Sequence, residues 1–313
     1  MKHSELQSII KNDYTVPEGA DYRNLVSVLE DNLGDPDQDI RDPSFEILYA
    51  WCSKGILTDT EQIELGNRVV TNLSVGLGEM GTDSVFLRSF SALVLCGPIY
   101  ADRLFSKGKL EGRNSFLTSD IFNKWLNQAV ESFANEQDLR GYIDIKKWAH
   151  SIAHFGDLFN QFANNPLSKK EEHIKILNAI AKKVVQPANQ IFSGYDDGRL
   201  CRIVATILMR DLLTLKDYEE WLQQFISPFT KAVWWDEKPD PNTFLVRLNA
   251  RLNTRMFLRT LHFMLLFGVK QHTGFEDSYF KKISQYRDTL LDLVAQALKK
   301  LDNNDFYYKE KSD

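Results

Sequence analysis

Two histidines and an aspartate recur at helical intervals in the segment KKWAHSIAHFGDLF, residues 146–159. His150, His154 and Asp157 share one face of a helix, because positions i, i+4 and i+7 do. Histidines at i and i+4 can bind one metal ion, and histidine also serves as an acid or base near neutral pH. Asp157 is close enough to His154 to orient its ring. The three residues are therefore candidate catalytic residues, and the two histidines are candidate ligands of a divalent metal.

The HxxxH spacing alone leaves three interpretations open. The imidazoles are neutral and hydrogen-bonded within a packed face, or they handle a ligand or a proton, or they bind a metal. Ser151 stands where zinc peptidases carry the glutamate of HExxH, so their general base is absent. A third metal ligand has to come from another element. The candidates by residue type are Asp83, Asp144 and Asp197.

A ladder of arginines forms a second group that could bind a ligand. Its members recur every four residues, so they drift by only ~40° per step around a helix. The sequence has no acidic residue between Asp240 and Glu276, so the ladder is not neutralised along its own helix. Two alternatives remain for its charge. In the structural alternative, carboxylates of other helices pair with the arginines. In the other, the arginines bind an anionic ligand, which a guanidinium contacts with two nitrogens. The ladder consists of Arg247, Arg251, Arg255 and Arg259.

Helical periodicity dominates the chain, and no run of alternating residues predicts a strand. In RDPSFEILYAWCSKG we expect Asp42 to cap a helix that has Pro43 at its first position and Gly55 after its end. The predicted helices cover residues 20–33, 43–54, 59–76, 83–97, 118–135, 143–164, 168–185, 198–213, 215–232, 243–267 and 276–301.

These helices fall into pairs of roughly 40 to 60 residues, near the period of HEAT-type repeats. We therefore predict an all-α fold, an irregular HEAT-like α-solenoid of paired antiparallel helices. Residues 1–313 form one repeat domain, with an N-terminal segment at 1–17 and a frayed tail at 302–313. If the second helix of each pair is the inner one, the unusual polar residues line one shared face.

Composition limits the function classes. The chain has 313 residues, a net charge of −5 and three cysteines without CxxC spacing, as in an ordinary reduced cytoplasmic protein. The acidic balance argues against a protein built around nucleic-acid binding. No uncharged apolar run reaches the ~18 residues that span a bilayer. The polar N-terminus is not a signal peptide.

The motifs LGDPDQDIRD, GLGEMGTDSVFLRSFSALVL, DLRGYIDIKKWAHSIAHFGDLF and DDGRL together resemble a bacterial family of uncharacterised proteins, domain of unknown function 2785. The resemblance covers roughly residues 20 to 265 and implies an all-helical, HEAT-like fold. It carries no established activity. The hallmark residues that it implies are Gly78, Gly81, Thr82, Asp83, Arg88, Arg140, Gly141, Trp148, His150, His154, Asp157 and Arg199.

Two functions are consistent with these observations. The first is a helical repeat protein that binds a peptide or protein partner, or a small anionic molecule, in a concave face lined by His, Arg and Asp. The second is a hydrolase-like enzyme with a metal or acid/base site at His150 and His154. The candidate ligand-binding residues are Asp83, Arg88, Arg140, Trp148, Asp197, Arg199, Arg251 and Arg255.

Overall fold

The computed structural model describes residues 1–229, 242–269 and 278–302, with side chains described from residue 285 onward in the last segment. These residues form twelve α-helices and one small β-hairpin, which confirms the all-α class. The helices are α1 His3–Lys11, α2 Tyr22–Asp31, α3 Gln38–Ser53, α4 Asp59–Asn72, α5 Ser84–Ser106, α6 Ser119–Asn135, α7 Ser151–Asn164, α8 Lys170–Val185, α9 Asp196–Arg210, α10 Leu215–Gln223, α11 Phe244–Phe267 and α12 Ser278–Leu301. The hairpin pairs β1, Tyr142–Ile143, with β2, Lys147–Trp148.

The chain divides into two compact units, Met1–Leu167 and Ser168–Asp313. In the first unit α3, α5 and α7 pack side by side, while α4 packs on α5 and α6 packs on both α4 and α7. In the second unit α11 packs on α8, α9 and α12, and α10 packs on α8 and α12. The single continuous domain expected from the sequence stays a prediction.

Helix α5 is the centre of the first unit. Most of its apolar side chains are buried, from Val85 to Phe105. By length and composition α5 could also cross a membrane, but 78% of its apolar window is buried inside the protein, as in the core helix of a globular unit. Buried residues continue along α5 beyond Pro98 to Phe105, and the helix ends at Ser106 rather than at the predicted residue 97.

Two predicted helix starts are wrong. Helix α3 begins at Gln38 rather than Pro43, because the carboxylate of Asp37 accepts the backbone N–H of Asp39 and caps the helix one turn earlier. Asp42 and Pro43 are therefore inside the helix. The helix predicted at 143–164 begins only at Ser151, because residues 142–148 form the hairpin instead.

Residues near both ends of the described part of the chain are buried. The N-terminal segment 1–17 contains helix α1, whose Leu6 and Ile9 are buried and which packs on α3. Asp302, the first residue of the predicted frayed tail, is fully buried. The helix predicted at 215–232 is too long, because α10 ends at Gln223 and a short 3₁₀ turn follows at Ser227–Phe229. Residues 230–232, and the tail after Asp302, lie outside the described residues.

Candidate functional site

The hairpin before α7 has an unusual backbone. Tyr142 faces Trp148 and Ile143 faces Lys147 across the two strands. Three residues without the freedom of glycine adopt left-handed conformations, namely Ile145 at φ 68°, Lys147 at φ 66° and His150 at φ 50°. Each such residue costs free energy, and most of all a β-branched one such as isoleucine. The hairpin therefore keeps its shape only because surrounding contacts hold it.

The base of the hairpin is tied to the loop before α5 by Asp138 and Arg140. The Asp138 carboxylate is buried and pairs with Arg140 at 2.6 Å between Oδ2 and Nη2. It also accepts the backbone N–H of Gly81 at 3.0 Å. Arg140 donates in turn to the carbonyl oxygen of Thr82 at 2.6 Å. Arg140, predicted to bind a ligand, is thus a partly exposed side chain that fixes two loops to each other.

Asp83 makes a second tie between the same loops. Its carboxylate contacts the ammonium of Lys146 in the hairpin, at 2.7 Å from both oxygens. Both side chains are about two-fifths exposed, so solvent weakens the pair. Asp83, a candidate third metal ligand by residue type, therefore contacts the hairpin through a lysine rather than a histidine.

Arg88 is fully buried and is bound by protein groups at all three guanidinium nitrogens. Its Nε and Nη2 donate to the two carboxylate oxygens of the equally buried Glu136, at 2.7 and 3.0 Å. Its Nη1 donates to Val75 O, Gly76 O and Ser84 Oγ at 2.8 to 2.9 Å. Arg88 has a structural role, in place of the ligand contact predicted from the sequence.

The hairpin presents aromatic rings to solvent. Tyr142 and Trp148 are 53% and 38% exposed, and their ring centroids are 5.0 Å apart with an edge-to-face geometry. The other neighbour of Trp148 is the half-buried His150, whose ring stacks on it at 4.2 Å. We call Tyr142, Trp148 and His150 the aromatic edge. Ile145, at 84% exposure, forms the tip of the hairpin next to it.

His154 lies behind the aromatic edge, with its ring centroid 5.8 Å from that of His150. Its Nδ1 is 2.6 Å from the hydroxyl of Ser89. Ser89 donates its only proton to the carbonyl oxygen of Ala149, because a carbonyl can only accept. The Ser89 oxygen must therefore accept a hydrogen bond from His154, which places a proton on Nδ1 and, in the neutral ring, leaves the lone pair on Nε2.

This arrangement has two chemical consequences. Ser89 is fully buried and its proton is held by a carbonyl, so it is no nucleophile. The contact at Nδ1 of His154 comes from Ser89, whereas Asp157 was the predicted orienting residue. Asp157 is half-buried and lies near Cys96, where burial first and the Asp157 charge second raise the pKa of the thiol.

The described part of the chain contains no group of three or more His, Cys, Asp or Glu side chains with metal-binding geometry. The carboxylates considered as third ligands make other contacts. Asp83 pairs with Lys146, Asp144 accepts the N–H of Ile145 at 3.0 Å, and Asp197 accepts the hydroxyl of Thr260. For a metal bound by both His150 and His154, the described residues therefore supply no third ligand of these types.

The arginine ladder lies on α11 in the second unit. Arg255 pairs with the fully buried carboxylate of Asp302, at 2.9 Å from Nε and 2.5 Å from Nη2. The buried Arg251 donates to the carbonyl oxygen of Leu301 at 2.6 Å and approaches Asp302 to 3.8 Å. For these two arginines the structure favours the structural alternative, a carboxylate supplied by another helix. Arg247 and Arg259 are exposed.

The predicted site residues thus fall into separate groups. In the first unit the hairpin region brings together Asp83, Arg140, Trp148, His150 and His154. In the second unit Asp197 and the half-buried Arg199 belong to α9, and Arg251 and Arg255 belong to α11. A shared pocket of both groups stays a prediction.

Sequence reasoning missed the residues that hold the hairpin. Arg41, Glu136 and Asp138 are all buried, although each carries a charge. A signal was present for Arg41 alone, because an arginine on the apolar face of α3 must find partners inside the protein. Glu136 and Asp138 follow the end of a helix and look like ordinary loop residues.

Residues 73–263 match the family described as Protein of unknown function (DUF2785). The chain belongs to this family. No curated protein and no solved structure matches it. The DUF2785 segment contains the loop before α5, the aromatic edge and most of α11, while α1, α2 and α3 precede it.

A cleft of about 780 Å³ lies between α2 and α4, ahead of the DUF2785 segment. Two ion pairs cross it, Arg23 with Glu61 at 2.9 Å and Arg68 with Glu30 at 2.7 Å. Burial alone would raise the pKa of Glu61, but hydrogen bonds from Tyr22, Thr58 and Arg23 lower it to about 2. The lining of this cleft includes none of the predicted site residues.

Proposed function

We propose that this protein is a HEAT-like helical repeat protein that binds a peptide or protein partner through the aromatic edge. The packing in the first unit supports the repeat architecture. Helices α3, α5 and α7 form one layer, and α4 and α6 pack together on it, as successive helical pairs in a repeat array do. The concave shape and cytoplasmic location expected from the sequence remain part of this proposal.

The observation that carries the proposal is a strained hairpin that exposes a tryptophan. Left-handed Ile145, Lys147 and His150 cost stability, and such strain persists mainly where function requires the shape. The shape exposes Trp148 and Tyr142, which are types enriched among residues that dominate binding energy. The pairs of Arg140 with Asp138 and of Lys146 with Asp83 tie the hairpin to the loop before α5, so little conformational entropy is lost on binding.

The chemistry favours a polypeptide over a small anion. Small molecules bind in enclosed cavities, whereas the rings of the aromatic edge and the side chain of Ile145 project into solvent. An anion needs unsatisfied cationic groups, whereas Arg88 and Arg255 already bind buried carboxylates. Apolar side chains of a partner can cover Trp148 and Ile145, and a partner carboxylate can reach the half-exposed Lys147.

Photo-crosslinking tests this proposal. A photoreactive amino acid replaces Ile145 at the hairpin tip in one protein and the exposed loop residue Asn114 of the same unit in the control. We expect position 145 alone to capture one defined protein, which then forms a complex with the purified chain. Equal capture at both positions, or failure of the purified proteins to bind, would contradict the proposal.

A second candidate function is the hydrolase-like site, which the tautomer of His154 favours. With its proton on Nδ1, the neutral imidazole of His154 carries its lone pair on Nε2, the type of atom that accepts a proton or binds a divalent metal. Elemental analysis of the purified protein, with His154→Asn as control, tests the metal version. Stoichiometric zinc or manganese that is lost in His154→Asn would support it, and equal metal content in both proteins would remove it.

A further inference from the structure

Arg41 on α3 is a charged side chain with no exposed surface. Its guanidinium lies 4.2 Å from the ring centroid of Phe86 and 4.6 Å from that of Phe90, both on α5. Aromatic faces attract the flat guanidinium but do not use its N–H donors. The two terminal nitrogens, Nη1 and Nη2, instead donate to backbone carbonyls around the stack.

Four carbonyl oxygens receive these donors. Nη1 donates to Asp35 at 2.8 Å and to Pro36 at 3.3 Å, in the turn before α3. Nη2 donates to Lys146 at 3.1 Å and to Trp148 at 3.4 Å, in the hairpin. A single rigid group thus connects the turn before α3 to the residue that presents the exposed indole.

Burying the charge of Arg41 costs free energy, which its contacts with other groups must offset. The only carboxylate paired with Arg41 is that of Asp42, at 3.5 Å, among the contacts of the described residues. Burial lowers the pKa of Arg41, with Asp42 opposing that change. Lysine cannot replace this arginine without loss, because an ammonium has no planar fork that reaches two pairs of carbonyls.

We propose that Arg41 is a positioning residue for the aromatic edge and acts by holding the backbone of Lys146 and Trp148. Arg41 precedes the DUF2785 segment at 73–263. The family segment therefore contains the aromatic edge, and a helix before that segment holds the edge in position. The binding role rests on the proposed function, whereas the positioning of Trp148 is measurable without any partner.

Fluorine NMR of protein labelled with 5-fluorotryptophan reads the position of Trp148, whose resonance is assigned by its loss in Trp148→Phe. In Arg41→Lys we expect the Trp148 resonance to shift and broaden while that of the buried Trp125 stays in place. The matched control is Arg103→Lys. Arg103 is also buried, and its guanidinium carbon lies 5.1 Å from the ring centroid of Tyr100 on α5. We expect Arg103→Lys to leave Trp148 unchanged.

An unchanged Trp148 resonance in folded Arg41→Lys would overturn the proposal. If Arg41→Lys does not fold, Arg41→Gln keeps two N–H donors without the charge and is measured in the same way. The wild-type protein gives a separate test, since four carbonyls should slow rotation of the Arg41 Nη groups. Fast rotation in nitrogen-15 NMR would contradict the proposal.

The last test measures binding of the partner that is captured at position 145. We expect Arg41→Lys to weaken its binding about tenfold, in line with the loss of hydrogen bonds from a charged donor, and Arg103→Lys to leave it unchanged. A displaced Trp148 supports the role of Arg41 even where no partner binds, so failure of the proposed function is distinguishable from failure of this inference.

Discussion

Arg88 and Glu136 form a two-pronged ion pair in the interior of the first unit, at 2.7 and 3.0 Å, with neither side chain exposed. Glu136 also accepts the backbone N–H of Asp138, which carries the network on to Arg140. Arg88 meanwhile holds the carbonyls of Val75 and Gly76. The two loops that support the aromatic edge therefore meet at this pair.

We predict that Arg88→Met strongly destabilises the protein, because it leaves the Glu136 carboxylate buried without its cation. Breaking one side of a buried pair costs about 3–5 kcal/mol. Urea unfolding followed by circular dichroism measures the loss. The matched control is Arg88→Met combined with Glu136→Leu, which should recover part of it. A single variant as stable as the wild type would contradict the structural role.

We predict that Ser89→Ala destabilises the protein by about 1 kcal/mol and alters the His154 tautomer, because it removes the acceptor of the Nδ1 proton. Nitrogen-15 NMR of the imidazole should show the Nδ1–H form in the wild type and a mixture in Ser89→Ala. Ser91 provides the control. Its hydroxyl is equally buried but has no hydrogen-bond partner among the described residues. Ser91→Ala should therefore cost nothing and leave His154 unchanged, and an Nε2–H form in the wild type would refute the assignment.

We predict that Glu61→Gln reduces the change in the free energy of unfolding between neutral and acidic pH. The pKa of Glu61 is about 2 in the folded protein against an ordinary 4.5. Its ionised form therefore stabilises the fold above pH 4.5, and that stabilisation is lost as the pH falls toward 2. The Glu61→Gln protein should be less stable than the wild type at pH 7, and it should lose less stability than the wild type between pH 4.5 and pH 2. Glu64→Gln, an exposed position on the same helix, is the control and should behave as the wild type.

We predict that the cysteine thiols of the folded protein resist alkylation. Burial raises the pKa of Cys52, Cys96 and Cys201, and the thiolate is the reactive form. Iodoacetamide at pH 8 should label these residues only after unfolding in guanidinium chloride, as mass spectrometry would show. Rapid labelling of any one of them in the native protein would place that thiol at an accessible site.

The helical pattern could be predicted from the sequence because apolar residues at helical spacing determine where helices form. Most predicted helices, such as that at 118–135, match observed ones closely. The start of α3 was misplaced because Pro43 was a stronger local signal than the true cap, Asp37. Local signals compete in such cases, and here the Asp37 cap determines the start of the helix.

The hairpin could not be predicted because its strands are only two residues long and its left-handed residues are held by distant groups. Arg41, for example, contacts Trp148 across 107 positions of sequence. The four-residue spacing of His150 and His154 did indicate that their rings lie near each other, and their centroids are 5.8 Å apart. Sequence reasoning placed Arg88 at a ligand, because an arginine in an apolar helix has the same sequence pattern whether its carboxylate comes from a ligand or from Glu136.

The affinity of Trp148→Ala for the partner captured at position 145 tests the central claim most directly. Phe263→Ala is the matched control, because Phe263 is an exposed ring on α11 outside the aromatic edge. With purified proteins and isothermal titration calorimetry, we predict that Trp148→Ala raises Kd by at least about tenfold and that Phe263→Ala leaves it unchanged. Equal affinity of Trp148→Ala and the wild-type protein would contradict the account.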